Sequence, residues 1–374
     1  MRSLLVLIDG LGDDPIAQWQ GKTPFEYAEH LYMDKLLQQG SLGAVSICEN
    51  DIIPESCSCI LRLLGVSKED TPKNRAYLEL LANGRNVSEY EMVLRCNLVA
   101  VDEQRTLVGF NAKGLSLEEM KRAAGTCNDL LTDVEFIHLS EYRNLLILNK
   151  EQGILDCCIQ PPHESVGENI DVLLKNLREQ SLSMRYLLDE ASKRLEGFSR
   201  QGLHYMLYPW GPSIRQVLPS FYGLHQQQGA LVCKAEIVAG MGHALGMEVV
   251  TPTGATGEVD TDVAAKARAT VDCLRRNDFV LTHFNGSDEA GHRRNPQEKA
   301  DFITRIDREF LGYVLDQVQE PLKIIICGDH ITSSVTGKHS RGKVPVVAAY
   351  TNKKLNKVMN SYKDILNFLM KECD

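Results

Sequence analysis

The chain has 374 residues, of which 43% are hydrophobic and 24% charged, an ordinary mixture for a folded globular protein and long enough to divide into more than one domain. A formal net charge of −9 and a pI near 5.7 argue against a nucleic-acid binder, and an anionic small substrate then needs local cations. The opening apolar run from Leu4 to Ile8 is too short for a signal peptide or a membrane span, which points to a cytoplasmic protein that does not act on membranes. Eleven scattered cysteines with no Cys-x-x-Cys pair read as reduced, buried thiols.

In chain order, Leu4 to Ile8 reads as a buried first strand that ends on Asp9. From about Thr71 to about Met184 the texture changes to polar helical stretches, Ser116 to Leu131 and Asn169 to Leu188, with alternating segments such as Met92 to Val101. This stretch reads as an inserted α+β cap domain over residues 72–184. Residues 1–71 and 185–374 then form the core. Phe279 to His283 and Lys323 to Cys327 are further buried parallel strands, with Val344 to Ala349 a shorter candidate of the same kind. Strands alternating with helical segments predict an α/β core with a doubly wound, mostly parallel sheet.

The strongest strands end on residues that can do chemistry: Asp9, then Asp288 and His292, then Asp329 and His330, with His339 further on. Ligands of open α/β sheets bind beyond the carboxyl ends of the strands, so these residues are expected to converge on one edge. Three carboxylates gathered there repel one another by roughly 4 kcal/mol per pair at about 4 Å and an effective dielectric of about 20, and bound cations relieve that. Imidazoles in the set favour manganese or zinc over magnesium or calcium. Two such metals about 4 Å apart can hold the attacking and leaving oxygens of a displacement at phosphorus. Taken singly, each residue has an ordinary reading as a helix cap, turn or surface side chain. Their order and spacing taken together carry the inference.

The sequence resembles the archaeal-type cofactor-independent phosphoglycerate mutases of the alkaline phosphatase superfamily over nearly its whole length. The resemblance is carried by Asp9-Gly-Leu-Gly-Asp13, Gly21-Lys-Thr-Pro24, the segment from Ser56 to Gly65, Arg95-Cys-Asn97, Tyr142-Arg143, Pro162-His163, Pro209-Trp-Gly211 and Gly254-Ala-Thr-Gly257. It continues through Asp288-Glu-Ala-Gly-His292, Asp329-His330 and His339-Ser340. It implies an alkaline phosphatase-like core, two divalent metal ions (Mn2+ or Zn2+) and a phosphoserine intermediate on Ser56. One metal is expected on Asp9, Ser56, Asp329 and His330, and the other on Asp288, His292 and His339. Arg95, Asn97, Arg143, His163 and Lys266 fall where the family grips its small phosphorylated substrate. The implied reaction is interconversion of 3-phosphoglycerate and 2-phosphoglycerate.

Departures from the family pattern concern substrate recognition. Glu55-Ser56-Cys57-Ser58 replaces the usual Gly-Ser-Asp-Thr, Asn74-Arg75-Ala76-Tyr77 replaces a Gly-Arg-Gly-Pro run, and Asp102-Glu-Gln-Arg105 replaces an arginine-rich segment. A metal-dependent phosphatase or another phosphomutase acting on a different ester is therefore the alternative reading. A non-catalytic binding homologue is a third, disfavoured because all seven metal-site residues are kept.

Overall fold

The computed structural model describes residues 1–48 and 54–371. Two compact units emerge, one from Met1–Thr71 with Val217–Asp374, the other from Pro72–Gln216.

The first unit is built on a seven-stranded sheet with Arg2–Ile8 at its middle. That strand pairs in parallel with Phe279–Phe284 on one side, Leu5 opposite Leu281, and with Leu322–Cys327 on the other, Leu5 opposite Ile325. Gly229–Val232 and Glu248–Val250 extend the parallel run. Leu4 through Ile8 are all 0% exposed, which is why this strand is uniformly apolar and not alternating. Its even-numbered residues Leu4, Val6 and Ile8 face a cluster that includes Val271, Leu274, Phe302 and Phe310 from helical segments on one side. Helix Tyr362–Met370 packs against the same strand and against Leu322–Cys327, and Ser3 Oγ donates to the Leu369 carbonyl at 2.6 Å. The core is thus the doubly wound, mostly parallel sheet expected from the sequence. One strand differs: Val344–Tyr350 runs antiparallel to Leu322–Cys327, and Ser41–Val45 pairs antiparallel beyond it. An apolar run reports burial on both faces but not strand direction.

The second unit is α+β. Its central strand Glu91–Val101 pairs antiparallel with Arg143–Asn149 and with His204–Ile214, while Val134–Ser140 lies beyond Arg143–Asn149. Helices Leu117–Thr126 and Leu182–Leu195 contribute Met120, Ala123, Met184, Leu187 and Ala191 to a core with Leu94, Cys96 and Leu98. On the opposite face, helix Ala76–Ala82 sets Ala76, Tyr77 and Leu80 against Val93, Leu145 and Ile147. The sequence placed the second boundary at residue 184, and the structure places it after Gln216. The correction has a physical cause: His204–Ile214 is held by pairing with a strand more than a hundred residues earlier, Asn97 opposite Tyr208. Local periodicity carries no trace of that partner.

Candidate metal centre

Three neighbouring parallel strands deliver the site. Asp9 directly follows Arg2–Ile8, and its N–H donates to the Phe284 carbonyl at 2.9 Å. Asp288 and His292 lie on helix Gly286–His292, just past strand Phe279–Phe284. Asp329 and His330 follow Leu322–Cys327. His339 arrives on the two-residue strand His339–Ser340, paired with Ile331–Thr332. Gly10 turns the chain at φ 61°, where a side chain would meet Thr332 Oγ1 at 2.6 Å and Asp288 Oδ1 at 2.7 Å. Buried Lys299 ties the two ligand-bearing loops together, donating to the Gly12 carbonyl at 3.0 Å, the Thr332 carbonyl at 2.8 Å and Asp13 Oδ2 at 2.7 Å.

All seven residues expected around metal converge. Asp9, Asp329 and His330 form one group with ligand atoms within 4.8 Å of one another, and Asp288, His330 and His339 form a second. His330 Nε2 lies 3.3 Å from both Asp9 Oδ1 and Asp329 Oδ2. Asp288 is approached by His292 Nε2 at 3.3 Å and His339 Nε2 at 3.4 Å. Ser56, the first residue of helix Ser56–Leu63, places its hydroxyl 3.3 Å from Asp9 Oδ1 and 3.1 Å from His330 Nε2.

Two participants were not anticipated. His283, 0% exposed inside the sheet, sets Nε2 2.9 Å from Asp9 Oδ2. It closes the apolar run ending at the same sheet edge, and a histidine there was the available signal. Thr332 Oγ1 donates to Asp288 Oδ1 and lies 3.1 Å from His330 Nδ1, with no sequence feature to mark it.

Burial and Asp288 both push the Asp9 carboxyl up, but hydrogen bonds from His283 and His330 outweigh them and hold it at about 2. Asp329, buried and beside Asp9, is pushed up to about 6. Burial disfavours a charged His330, yet Asp329 and Asp9 raise it to about 10. The hydrogen bond to Asp288 raises His292 to about 9. The carboxylates thus draw protons onto neighbouring imidazoles, as a site built for cations does without them. Asp329 Oδ2 and His339 Nε2 are buried with no hydrogen-bond partner among the described residues. Two buried ligand-type atoms whose close neighbours are the other carboxylates and imidazoles of the site, in this mix of donors, fit divalent metal.

The expected substrate residues divide between the units. Lys266 is 1% exposed on helix Val263–Arg276, where Nζ donates to the His283 carbonyl at 2.8 Å and lies 4.8 Å from the Phe284 ring centroid. The first unit's sheet therefore uses it internally. Arg95, Asn97, Arg143 and His163 belong to the second unit. Register sets Asn97 opposite Arg143 and Arg95 opposite Trp210. Asn97 accepts from Trp210 Nε1 at 3.0 Å and donates to the Phe110 carbonyl at 3.1 Å. Arg143 Nη2 donates to Ser140 Oγ at 2.7 Å, and the His163 ring lies 6.2 Å from that of Trp210.

No helix among the described residues is long and apolar enough to cross a membrane. Residues 1–369 match the model of the Metalloenzyme superfamily. The chain is 31% identical over 365 residues to the 2,3-bisphosphoglycerate-independent phosphoglycerate mutase of Thermococcus kodakarensis, covering 93% of this chain and 88% of the relative. It is 29% identical over 359 residues to 2,3-bisphosphoglycerate-independent phosphoglycerate mutase 2 of Methanothermobacter thermautotrophicus, covering 93% and 89%. Among solved structures it is similar to the PH0037 protein of Pyrococcus horikoshii, with a TM-score of 0.78, 26% identity and coverage of 99% and 96%. The cofactor-independent phosphoglycerate mutase of Thermoplasma acidophilum shares the fold at a TM-score of 0.62, with 19% identity and 99% of each chain covered. The chain belongs to the 2,3-bisphosphoglycerate-independent phosphoglycerate mutases of the Metalloenzyme superfamily.

Proposed function

We propose that this protein interconverts 3-phosphoglycerate and 2-phosphoglycerate through a phosphoserine at Ser56. The observation that carries the reading is the Ser56 hydroxyl, at the start of a helix and 3.1 and 3.3 Å from His330 Nε2 and Asp9 Oδ1. Asp9, Ser56, Asp329 and His330 would hold one divalent ion, and Asp288, His292 and His339 the other, manganese or zinc by their imidazole content. Bound there, the metals would lower the pKa of the serine hydroxyl and neutralise phosphoryl charge.

Ser56 Oγ attacks phosphorus as the ester bond to one glycerate hydroxyl breaks, and the phosphoryl group rests on Ser56. The proton lost from Ser56 Oγ is balanced by the one taken up on the departing glycerate oxygen, and the return step reverses both transfers. The first turn of a helix presents backbone N–H groups to the phosphoryl oxygens. Glycerate that stays bound then offers its other hydroxyl, which takes the phosphoryl group back and frees Ser56; Arg95, Arg143 and His163 are the residues expected to grip it. A guanidinium suits such a grip because it binds carboxylate and phosphate in bidentate fashion.

A phosphatase or a phosphomutase of another ester is the second reading. It is favoured by one observation: Arg105, the sole arginine left in the altered 102–105 segment, pairs with Asp171 through Nε at 2.5 Å and Nη2 at 2.7 Å. A time course on 3-phosphoglycerate decides between them. Accumulating 2-phosphoglycerate supports the mutase, and free phosphate alone supports the hydrolase.

A further inference from the structure

Arg95 is held on two sides by residues to which no role has yet been given. Its Nε donates to Glu79 Oε2 at 2.9 Å, and both side chains are about nine-tenths buried, at 10% and 9% exposure. Glu79 lies on helix Ala76–Ala82, and its other oxygen meets Arg75 Nε at 3.3 Å. From the neighbouring strand, Trp210 presents its ring 4.2 Å from the guanidinium carbon. Trp210 is itself fixed by the Nε1 hydrogen bond to Asn97, so Asn97 braces the stack. The edge contact fixes rotation of the guanidinium in its own plane, and the ring contact fixes its tilt. Burial lowers the Arg95 pKa to about 10 against the opposing pull of Glu79, which leaves it charged at neutral pH.

One group is left over. Arg95 Nη1 is buried and has no hydrogen-bond partner among the described residues. An ion pair that served stability alone would leave no such donor, because a buried N–H without an acceptor is costly. The His163 ring beside Trp210, and Phe110 with its centroid 6.1 Å from His163, gather three aromatic rings at this corner.

We propose that Glu79 and Trp210 are positioning residues that hold Arg95 so that Nη1 receives one anionic oxygen of the substrate, from its carboxylate or its phosphate. The inference rests on the reading that Arg95 meets the substrate, and it adds that Arg95 does so only while clamped. Glu79 leaves Arg95 its charge but not its freedom to turn. Replacing Glu79 therefore removes aim without removing the cation, a different defect from replacing Arg95.

The test uses metal-loaded, full-length protein and 3-phosphoglycerate, with Arg95→Ala, Glu79→Gln, Trp210→Leu, Trp210→Phe and the double variant Glu79→Gln/Arg95→Ala. Dissociation constants come from calorimetry, KM and kcat from kinetics, and folding from thermal unfolding. Arg95→Ala is expected to raise KM and the dissociation constant at least about tenfold. Glu79→Gln and Trp210→Leu are expected to follow in the same direction, Trp210→Phe to restore most of the loss, and metal affinity to stay unchanged. The double variant should be no worse than Arg95→Ala alone, because Glu79 acts through Arg95. Inhibition by inorganic phosphate and by glycerate identifies the bound group, since only the ligand that Nη1 holds should weaken in Glu79→Gln. Should Glu79→Gln fail to fold, the two Trp210 variants carry the test. Unchanged binding in Arg95→Ala overturns the substrate reading of Arg95. Weakened binding in Arg95→Ala, with Glu79→Gln and Trp210→Leu unaffected or additive to it, overturns the positioning roles and leaves that reading standing.

Discussion

His283 Nε2 lies 2.9 Å from Asp9 Oδ2, so one oxygen of that carboxylate is committed to the sheet interior while Oδ1 faces Ser56. Partners of this kind orient metal ligands, and their loss costs about 10–100-fold in metal affinity. His283→Leu is expected to weaken manganese binding by about that factor, measured by titrating Mn2+ into chelator-stripped protein. Wild-type affinity in a folded His283→Leu protein would show that Asp9 needs no such support.

Metal binding should release protons. In the metal-free protein, carboxylate neighbours raise His330 to about 10 and His292 to about 9, so both imidazoles carry protons at neutral pH that a metal must displace. These raised values also mean that the two histidines stabilise the metal-free fold below the ordinary histidine range. That contribution is lost as pH climbs through about 9 to about 10. Apparent metal affinity should therefore rise with pH across the neutral range. Calorimetry in buffers of differing ionisation enthalpy should report on the order of two protons released per chain at neutral pH. Affinity independent of pH between about 6 and 8 would contradict this protonation pattern.

Much of this centre was legible in the sequence because its ligands end apolar strands, and strand ends in an open parallel sheet share one edge. Asp9, Asp288, Asp329 and His330 were readable that way. Thr332 was not, because its contacts with Asp288 and His330 depend on how the loop after residue 330 folds back. The burial of Lys266 was hidden for a related reason: its helix face is set by packing, and sequence marks it only as a charged residue. The second-unit boundary failed where pairing was long-range, at His204–Ile214 against Glu91–Val101. The antiparallel course of Val344–Tyr350 was equally invisible, since direction leaves no mark on composition.

Lys266 carries a pH signature of its own. Burial depresses it to about 8, so between there and the ordinary lysine range the unfolded chain binds the extra proton and stability rises with pH. Below about 8 the cost of a buried ammonium is present in full. Lys266→Met should flatten the rise in urea midpoint between about pH 8 and 10 relative to wild type. An identical slope in the variant would show that this lysine is not the source.

Gly10 admits no side chain, because Thr332 Oγ1 and Asp288 Oδ1 occupy the space and φ is 61°. Gly10→Ala should reduce metal affinity and turnover by at least about tenfold while the rest of the sheet stays folded, a strained backbone of this kind costing about 1–3 kcal/mol. Unimpaired metal binding in Gly10→Ala would mean that the loop relaxes without disturbing Asp288.

The central claim is that the phosphoryl group passes through Ser56, and acid quenching of protein turning over phosphate-labelled 3-phosphoglycerate tests it most directly. Label should be recovered on Ser56, should move into phosphoglycerate when unlabelled substrate is added, and should be absent from a folded Ser56→Ala variant whose turnover has fallen by several orders of magnitude. Wild-type turnover in Ser56→Ala, with no label on the native protein, would contradict covalent transfer and leave direct attack by water as the chemistry of this site.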